Sequence, residues 1–345
     1  MQKGANLQSL RISSRAFKRM SLVALVAITL LIATGTWVRL SESGLGCTTW
    51  PACTSHDLIA PGTYHSLVEF TNRSTIIAIG ILIAMVVVSS FLRETKRRDL
   101  QLLSIGLLVG YIGEAVLGGI TVLLKLAPPL VAAHLILGLI LVANATVLHW
   151  QAGIPDGLAT SNRSTLFTTP MVALSSLMLG MFWIMSVLGT IVTGTGPHSG
   201  KPGTPRFHLS LGGMVQIHGD VGLVFYGIAI AFFIALLGQK APKDTIRRTH
   251  IVVILLTLQG ILGYSIWFTK FSVIPAEMHT FGAALLLIAL IRMKMGMHTY
   301  EDTQLDEQDI HDGHLECQPI GSAQPDISLT SAEYASSSSS AVTRS

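Results

Sequence analysis

The chain has 345 residues, half of them hydrophobic and only 12% charged, with a formal net charge of +4. A soluble globular domain carries about 25% charged residues, so this composition excludes one. The apolar residues come in runs of about 20, long enough to cross a bilayer of roughly 30 Å. The sequence therefore describes a polytopic, all-α integral membrane protein. The basic residues sit between the apolar runs and give no reason to expect nucleic acid as a partner. There is no CxxC, Walker loop, GxGxxG or HExxH.

In chain order, residues 1–19 form a polar, basic segment with Lys3, Arg11, Arg15, Lys18 and Arg19. Eight spans follow, at about 20–40, 67–92, 100–124, 129–150, 169–193, 212–238, 250–269 and 275–295. The first run is too long for a signal-peptide core and has no clean small-x-small cleavage site, so it reads as a retained span. Residues 20–150 and 169–296 are expected to form two four-helix bundles, joined by a cytoplasmic linker at 151–168. The tail at 297–345 is acidic and then Ser-rich (Ser336–Ser340), a composition expected to be disordered.

Orientation follows from Lys and Arg. The N-terminal segment and the segments after every second span hold most of them, including Arg93, Lys96, Arg97, Arg98, Lys240, Lys243, Arg247 and Arg248. The opposite loops hold only Lys125, Lys201, Arg206 and Lys270. The asymmetry of roughly four to one predicts both termini in the cytoplasm.

An internal repeat is visible without gaps. Gly118–His134 and Gly263–His279 both start with Gly, carry Lys about seven residues later and end on a His nine residues after the Lys. His279 follows His134 by 145 residues, or four spans. Four spans restore the starting direction, so the halves are expected to be parallel, pseudo-symmetric repeats. Gly35-Thr36-Trp37-Val38 weakly echoes Gly189-Thr190-Ile191-Val192, and Glu114 falls opposite Gln259.

Asn72, His134, His218 and His279 each lie about five to seven residues past the outer end of a span. At 1.5 Å per residue that is roughly 8–10 Å deep, one level in the outer leaflet. A His inside a span is costly and usually functional. Two imidazoles on facing helices at equal depth suit axial ligation of a haem iron inside a four-helix bundle. Zinc would want four ligands. The bland alternative is a lone His packed against a carbonyl.

The first outer loop reads Val38-Arg39-Leu40-Ser41-Glu42-Ser43-Gly44-Leu45-Gly46-Cys47-Thr48-Thr49-Trp50-Pro51-Ala52-Cys53. It resembles the haem A synthase signature V-R-L-T-x-S-G-L-G-C-x-x-W-P-x-C. Glu69-Phe70-Thr71-Asn72-Arg73 resembles that family's E-x-x-H-R segment, and His134, Thr193–His198, His218 and His279 match in order and spacing. The resemblance covers about residues 20–295. It implies oxidation of a methyl group of haem O to a formyl group, through hydroxylations with electrons withdrawn from the substrate. It places the substrate haem in the N-terminal half and a resident haem b on His218 and His279. Implied partners are the haem O-forming farnesyltransferase (haem O synthase) and haem-copper oxidase assembly, and implied localisation is the cell membrane. Assembly into a homo-oligomer stays open.

Two departures from the family pattern bear on the site. The usual His of span 2 is Asn72 here, which leaves His134 as the one strong ligand of the first half. His65, Glu69 and Asn72 share a helical face. His65 is the obvious substitute, yet lies about 10 Å from Asn72 along the helix. The second departure is that residues 194–211 carry no Cys pair, unlike many relatives. Cys47 and Cys53 lie outside, where a disulfide is permitted, either as a loop staple or with a redox role.

Glu69 is the expected catalytic carboxylate, as proton acceptor or stabiliser of developing positive charge. The alternative is a salt bridge to Arg39 or Arg73. Those two arginines are in turn candidates for propionate contacts. The competing reading of the whole chain is a b-type haem electron carrier without substrate chemistry. A transporter is a more distant competitor, because internal repeats are common there.

Overall fold

The computed structural model describes residues 11–55, 59–158, 163–198 and 203–300. The first ten residues and the expected disordered tail beyond Tyr300 lie outside these residues.

All eight expected spans are helices: α1 (Ser14–Leu40), α2 (Tyr64–Phe91), α3 (Arg98–Leu123), α4 (Pro128–Gln151), α5 (Thr169–Thr195), α6 (Leu211–Gly238), α7 (Lys243–Phe268) and α8 (Val273–Met295). Each is long and apolar enough to cross a membrane. Several begin earlier than the apolar runs. The cause is capping, which carries a helix back through a polar turn. The Ser13 hydroxyl accepts from the Ala16 N–H, and Thr63 accepts from Ser66. Pro lies in the first turn of α4 and of α5, where its missing N–H costs nothing.

Within the first half, α1 packs on α2, α2 on α3, α3 on α4 and α4 back on α1. In the second half, α5, α6, α7 and α8 close in the same way. The halves meet through α1, α4, α5 and α8.

The turns after α3 and α7 share one geometry. Lys125 and Leu126 have φ of 52° and 60°, and Lys270 and Phe271 have 53° and 67°. Leu126 N–H donates to Thr121 O and Lys125 N–H to Val122 O; Phe271 and Lys270 bond to Ile266 and Trp267 in the same pattern. Two successive non-glycine residues in the left-handed region cost roughly 1–2 kcal/mol each. The same costly solution recurs at both copies of the repeated stretch.

On the face that carries the N-terminal segment, Asp156 is held by Ser14 Oγ (2.8 Å), Arg93 Nη2 (2.7 Å) and Arg97 Nη1 (3.4 Å). Burial pushes the Asp156 carboxyl up. The Ser14 hydroxyl and the two guanidinium groups outweigh it and hold the carboxyl below its ordinary value. Ile12 bonds to the backbone at Leu92 and Glu94 beside this cluster. An unexpected two-stranded ribbon joins the linker to the end of the second half: β1 (Arg163–Thr165) runs antiparallel to β2 (His298–Tyr300).

The apolar core is concentrated toward this basic face, around Phe17, Ile83, Leu100, Leu107, Leu148, Phe232, Leu236, Leu287 and Met293. Packing is looser at the opposite end of the second half. No residue of α6 before Phe225, of α7 after Leu256 or of α8 before Gly282 is buried.

Candidate functional site

His218 and His279 lie in that loosely packed level. Their ring centroids are 6.2 Å apart and the planes cross at 70°. Two imidazoles bound on opposite faces of one iron, with N–metal bonds of about 2 Å, would have ring centres about 6 Å apart. Each ring is backed by a glycine on a neighbouring helix. A Cβ on Gly189 would lie 3.3 Å from the His218 ring, and one on Gly263 would lie 3.7 Å from the His279 ring. Both Nδ1 atoms are buried without a hydrogen-bond partner, and the His279 ring lies against the Gln259 carbonyl. With Nδ1 turned into the helices, Nε2 is the nitrogen left for a metal. The residues present thus fit a bis-imidazole haem. Among the described residues there is no cluster of three or more His, Cys, Asp or Glu that would suit another metal.

His134 has a matching glycine, Gly118, whose Cβ would lie 3.0 Å from the ring. Its Nδ1 stands 3.1 Å from Glu114 Oε1. The two atoms are close but off the line of a hydrogen bond, and both His134 Nδ1 and Glu114 Oε2 are otherwise unpaired. Glu114 is thus the carboxylate nearest the His134 ring, within reach of its Nδ1.

Asn72 makes no such arrangement. Its Oδ1 accepts from the Thr34 hydroxyl at 2.8 Å. It lines a cavity of about 630 Å³ between the outer ends of α1 and α2, with Ala33, Thr34, Trp37, Leu67 and Glu277. Where Gly189 backs His218, the echoing Gly35 has nothing within 4 Å of a would-be Cβ. The space beside Asn72 is larger than its amide fills. His65 faces away from this cavity, with Nδ1 3.0 Å from the Ser43 hydroxyl in the outer loop.

Glu277 was not expected from the sequence. It is carried by α8, yet it reaches the cavity of the first half, and its Oε2 is buried without a hydrogen-bond partner. The signal was present: a carboxylate near the start of a span, two residues before His279, where the other copy has Ala132.

Glu69 is 4% exposed and fastens the signature loop. Oε1 pairs with Arg73 Nη2 at 2.6 Å, and Oε2 accepts from the Cys47 N–H at 2.8 Å. Of its two expected partners it takes Arg73. Arg73 also donates to the carbonyls of Thr49 and Ala52, at 3.0 and 3.2 Å. Cys47 and Cys53, both buried, form a disulfide within this loop. Gly46 lies on the His65 and Ser66 backbone where a Cβ would collide, and the Trp50 ring lies over Gly119. The motif residues thus fold a tight cap onto the first turns of α2 and the end of α3.

Arg39 reaches across to the other half. Its Nε donates to His198 O at 3.0 Å and its Nη2 to Thr193 O at 3.1 Å. The His198 ring in turn bonds to the Phe271 carbonyl. Both arginines expected near propionates are instead tied within the protein, Arg73 to Glu69 and two loop carbonyls and Arg39 to carbonyls at and beyond the end of α5.

Eight apolar helices long enough to cross a membrane define a multi-pass helical membrane protein, with two imidazoles facing each other between α6 and α8. The profile of the cytochrome oxidase assembly proteins (COX15-CtaA) matches residues 59–291, and the chain belongs to that family. Among its relatives is a heme A synthase of Bacillus mycoides (strain KBAB4), 23% identical over 291 residues, covering 81% of this chain and 93% of the relative. Heme A synthases of Bacillus cereus (strain AH187) and Bacillus anthracis (strain A0248) match over the same extent at 23% and 22% identity.

Proposed function

We propose that this chain is a haem A synthase, an oxidoreductase that converts a methyl group of haem O to a formyl group. The observation that carries the reading is the His218–His279 pair, set 6.2 Å apart in a chain whose relatives are heme A synthases. His218 and His279 would hold haem b, which supplies a one-electron relay when bound. The substrate haem O would sit in the first half against His134, oriented by Glu114. Asn72 leaves its opposite face open, because His65 is held by Ser43. The shared turns at Lys125-Leu126 and Lys270-Phe271 support reading the halves, 20–150 and 169–296, as parallel repeats.

Converting a methyl to a formyl with water as oxygen source releases four protons and four electrons. The electron acceptor lies outside the chain. Glu69 Oε1 and the unpaired Glu277 Oε2 are the carboxylate atoms we assign to proton acceptance. Haem O would come from the farnesyltransferase that makes it, and haem A would pass to oxidase assembly. The Lys and Arg asymmetry supports cytoplasmic termini in the cell membrane and haem sites in the outer leaflet.

The competing reading is a b-type electron carrier. Haem extraction with mass spectrometry, after expression in a host that makes haem O but no haem A, separates the two. Haem A or its hydroxylated precursor is the expected product. Haem b alone would overturn the synthase.

A further inference from the structure

A second cavity, of about 470 Å³, opens at the basic face, away from every haem-facing residue. It is bounded by the start of α1, the ends of α4 and α8 and the start of α7. Lys18, His149, Trp150, Arg248, Arg292 and His298 line it. No Asp or Glu does. Beside the cavity, Asp156 is paired with Arg93 and Arg97, and Asp244, 3.8 Å from Arg247, also faces Arg248, one carboxylate against three cations.

The arrangement of the cations is unfavourable by itself. The Arg248 and Arg292 guanidinium carbons lie 5.0 and 5.6 Å from the centre of the same Trp150 ring. Each ring contact is an attraction between the cation and the ring face. Two like charges on one ring, with the Lys18 ammonium on the same cavity, repel each other. An anion between them would convert that repulsion into attraction, and guanidinium pairs bind phosphate oxygens in two-point fashion. The level of the cavity matters as well. It lies at the ends of membrane-spanning helices, where lipid headgroups stand and where Trp side chains favour the interface. Basic pockets between helices at this level suit acidic phospholipids.

We propose that this cavity is a binding site for the phosphate of an anionic phospholipid. Arg248 and Arg292 would grip its oxygens, Lys18 would close over them, and Trp150 would carry the glycerol side.

The test uses the full chain purified in detergent, with native mass spectrometry counting bound lipid against added dioleoylphosphatidylglycerol or dioleoylphosphatidylcholine. Retention of phosphatidylglycerol at least tenfold stronger than of phosphatidylcholine is expected. Arg248→Gln and Arg292→Gln should each remove that preference, while Arg247→Gln, one residue away and outside the cavity, should keep it. If either arginine variant does not fold, Lys18→Gln on the exposed start of α1 gives the same readout. Equal retention of the two lipids, or a preference surviving all three substitutions, overturns the proposal. So does inorganic phosphate giving the same thermal stabilisation as the lipid, which would mark a free-anion site. Phosphatidylglycerol binding that appears only after truncation at Tyr300 also overturns it, since the acidic segment beyond would then be the occupant.

Discussion

His218 on α6 and His279 on α8 face each other with ring centres 6.2 Å apart. The same two helices bury Phe232, Leu236, Leu287 and Leu290 nearer the basic end, and neither has a buried residue at the level of the rings. Replacing either His by Ala should abolish the low-spin haem spectrum and weaken haem retention at least tenfold, equivalent to about 1.4 kcal/mol. The measurement is the haem-to-protein ratio with the optical spectrum. An unchanged spectrum in both variants would refute the assignment.

Asn72→His should add a second ligand to the first half. The open space at Gly35 and the adjoining cavity leave room for an imidazole. Losing the Thr34 hydrogen bond costs only about 1 kcal/mol. The expected result is a second low-spin haem signal in the variant with haem O supplied. A spectrum identical to that of the parent would mean that position 72 does not face the substrate iron.

Glu69→Gln keeps an oxygen that can accept from the Cys47 N–H but removes the charge that faces Arg73. Turnover should fall by about 10²–10⁴, the usual contribution of a positioned acid or base, with haem binding retained. Glu69→Ala should also loosen the cap and lower the melting temperature. Glu277→Gln provides the comparison. It touches no cap residue, so a fall in its turnover without a change in melting temperature would assign proton acceptance to Glu277 as well.

The Asp156 cluster predicts an acid-sensitive basic face. Its folded-state carboxyl lies below the ordinary value. The stability it contributes is therefore complete above the unfolded pKa of about 3.9 and is lost as pH falls through the lower folded value. Arg93, whose side chain is 1% exposed, should be the costly partner to remove. Arg93→Leu is expected to lower stability by roughly 3–5 kcal/mol. It should also flatten the dependence of melting temperature on pH below about 4.

Much of this was legible in the sequence. Apolar runs of span length gave eight helices because a bilayer allows little else. The Gly118–His134 and Gly263–His279 alignment anticipated two turns that share even their hydrogen bonds. Glycine opposite each His was part of the same pattern. Helix starts were less legible, because Ser13 and Thr63 extend α1 and α2 through polar turns that hydropathy ignores. The pairing of Arg73 with Glu69 was one of two readings the sequence offered, but the further grip of Arg73 and the whole grip of Arg39 fall on backbone carbonyls, which leave no mark on residue identity. Glu277 escaped because its cavity is formed by helices distant in sequence, and the turn of His65 toward Ser43 depended on how the cap folds.

The reach of Arg39 from α1 to the carbonyls of Thr193 and His198 has a mechanical meaning. It clasps the outer rims of the halves together, while α1, α4, α5 and α8 pack across the middle. A transporter that alternates access needs its halves to rock apart at one rim and then at the other. With one rim clasped, this chain suits a rigid frame whose halves keep a fixed separation.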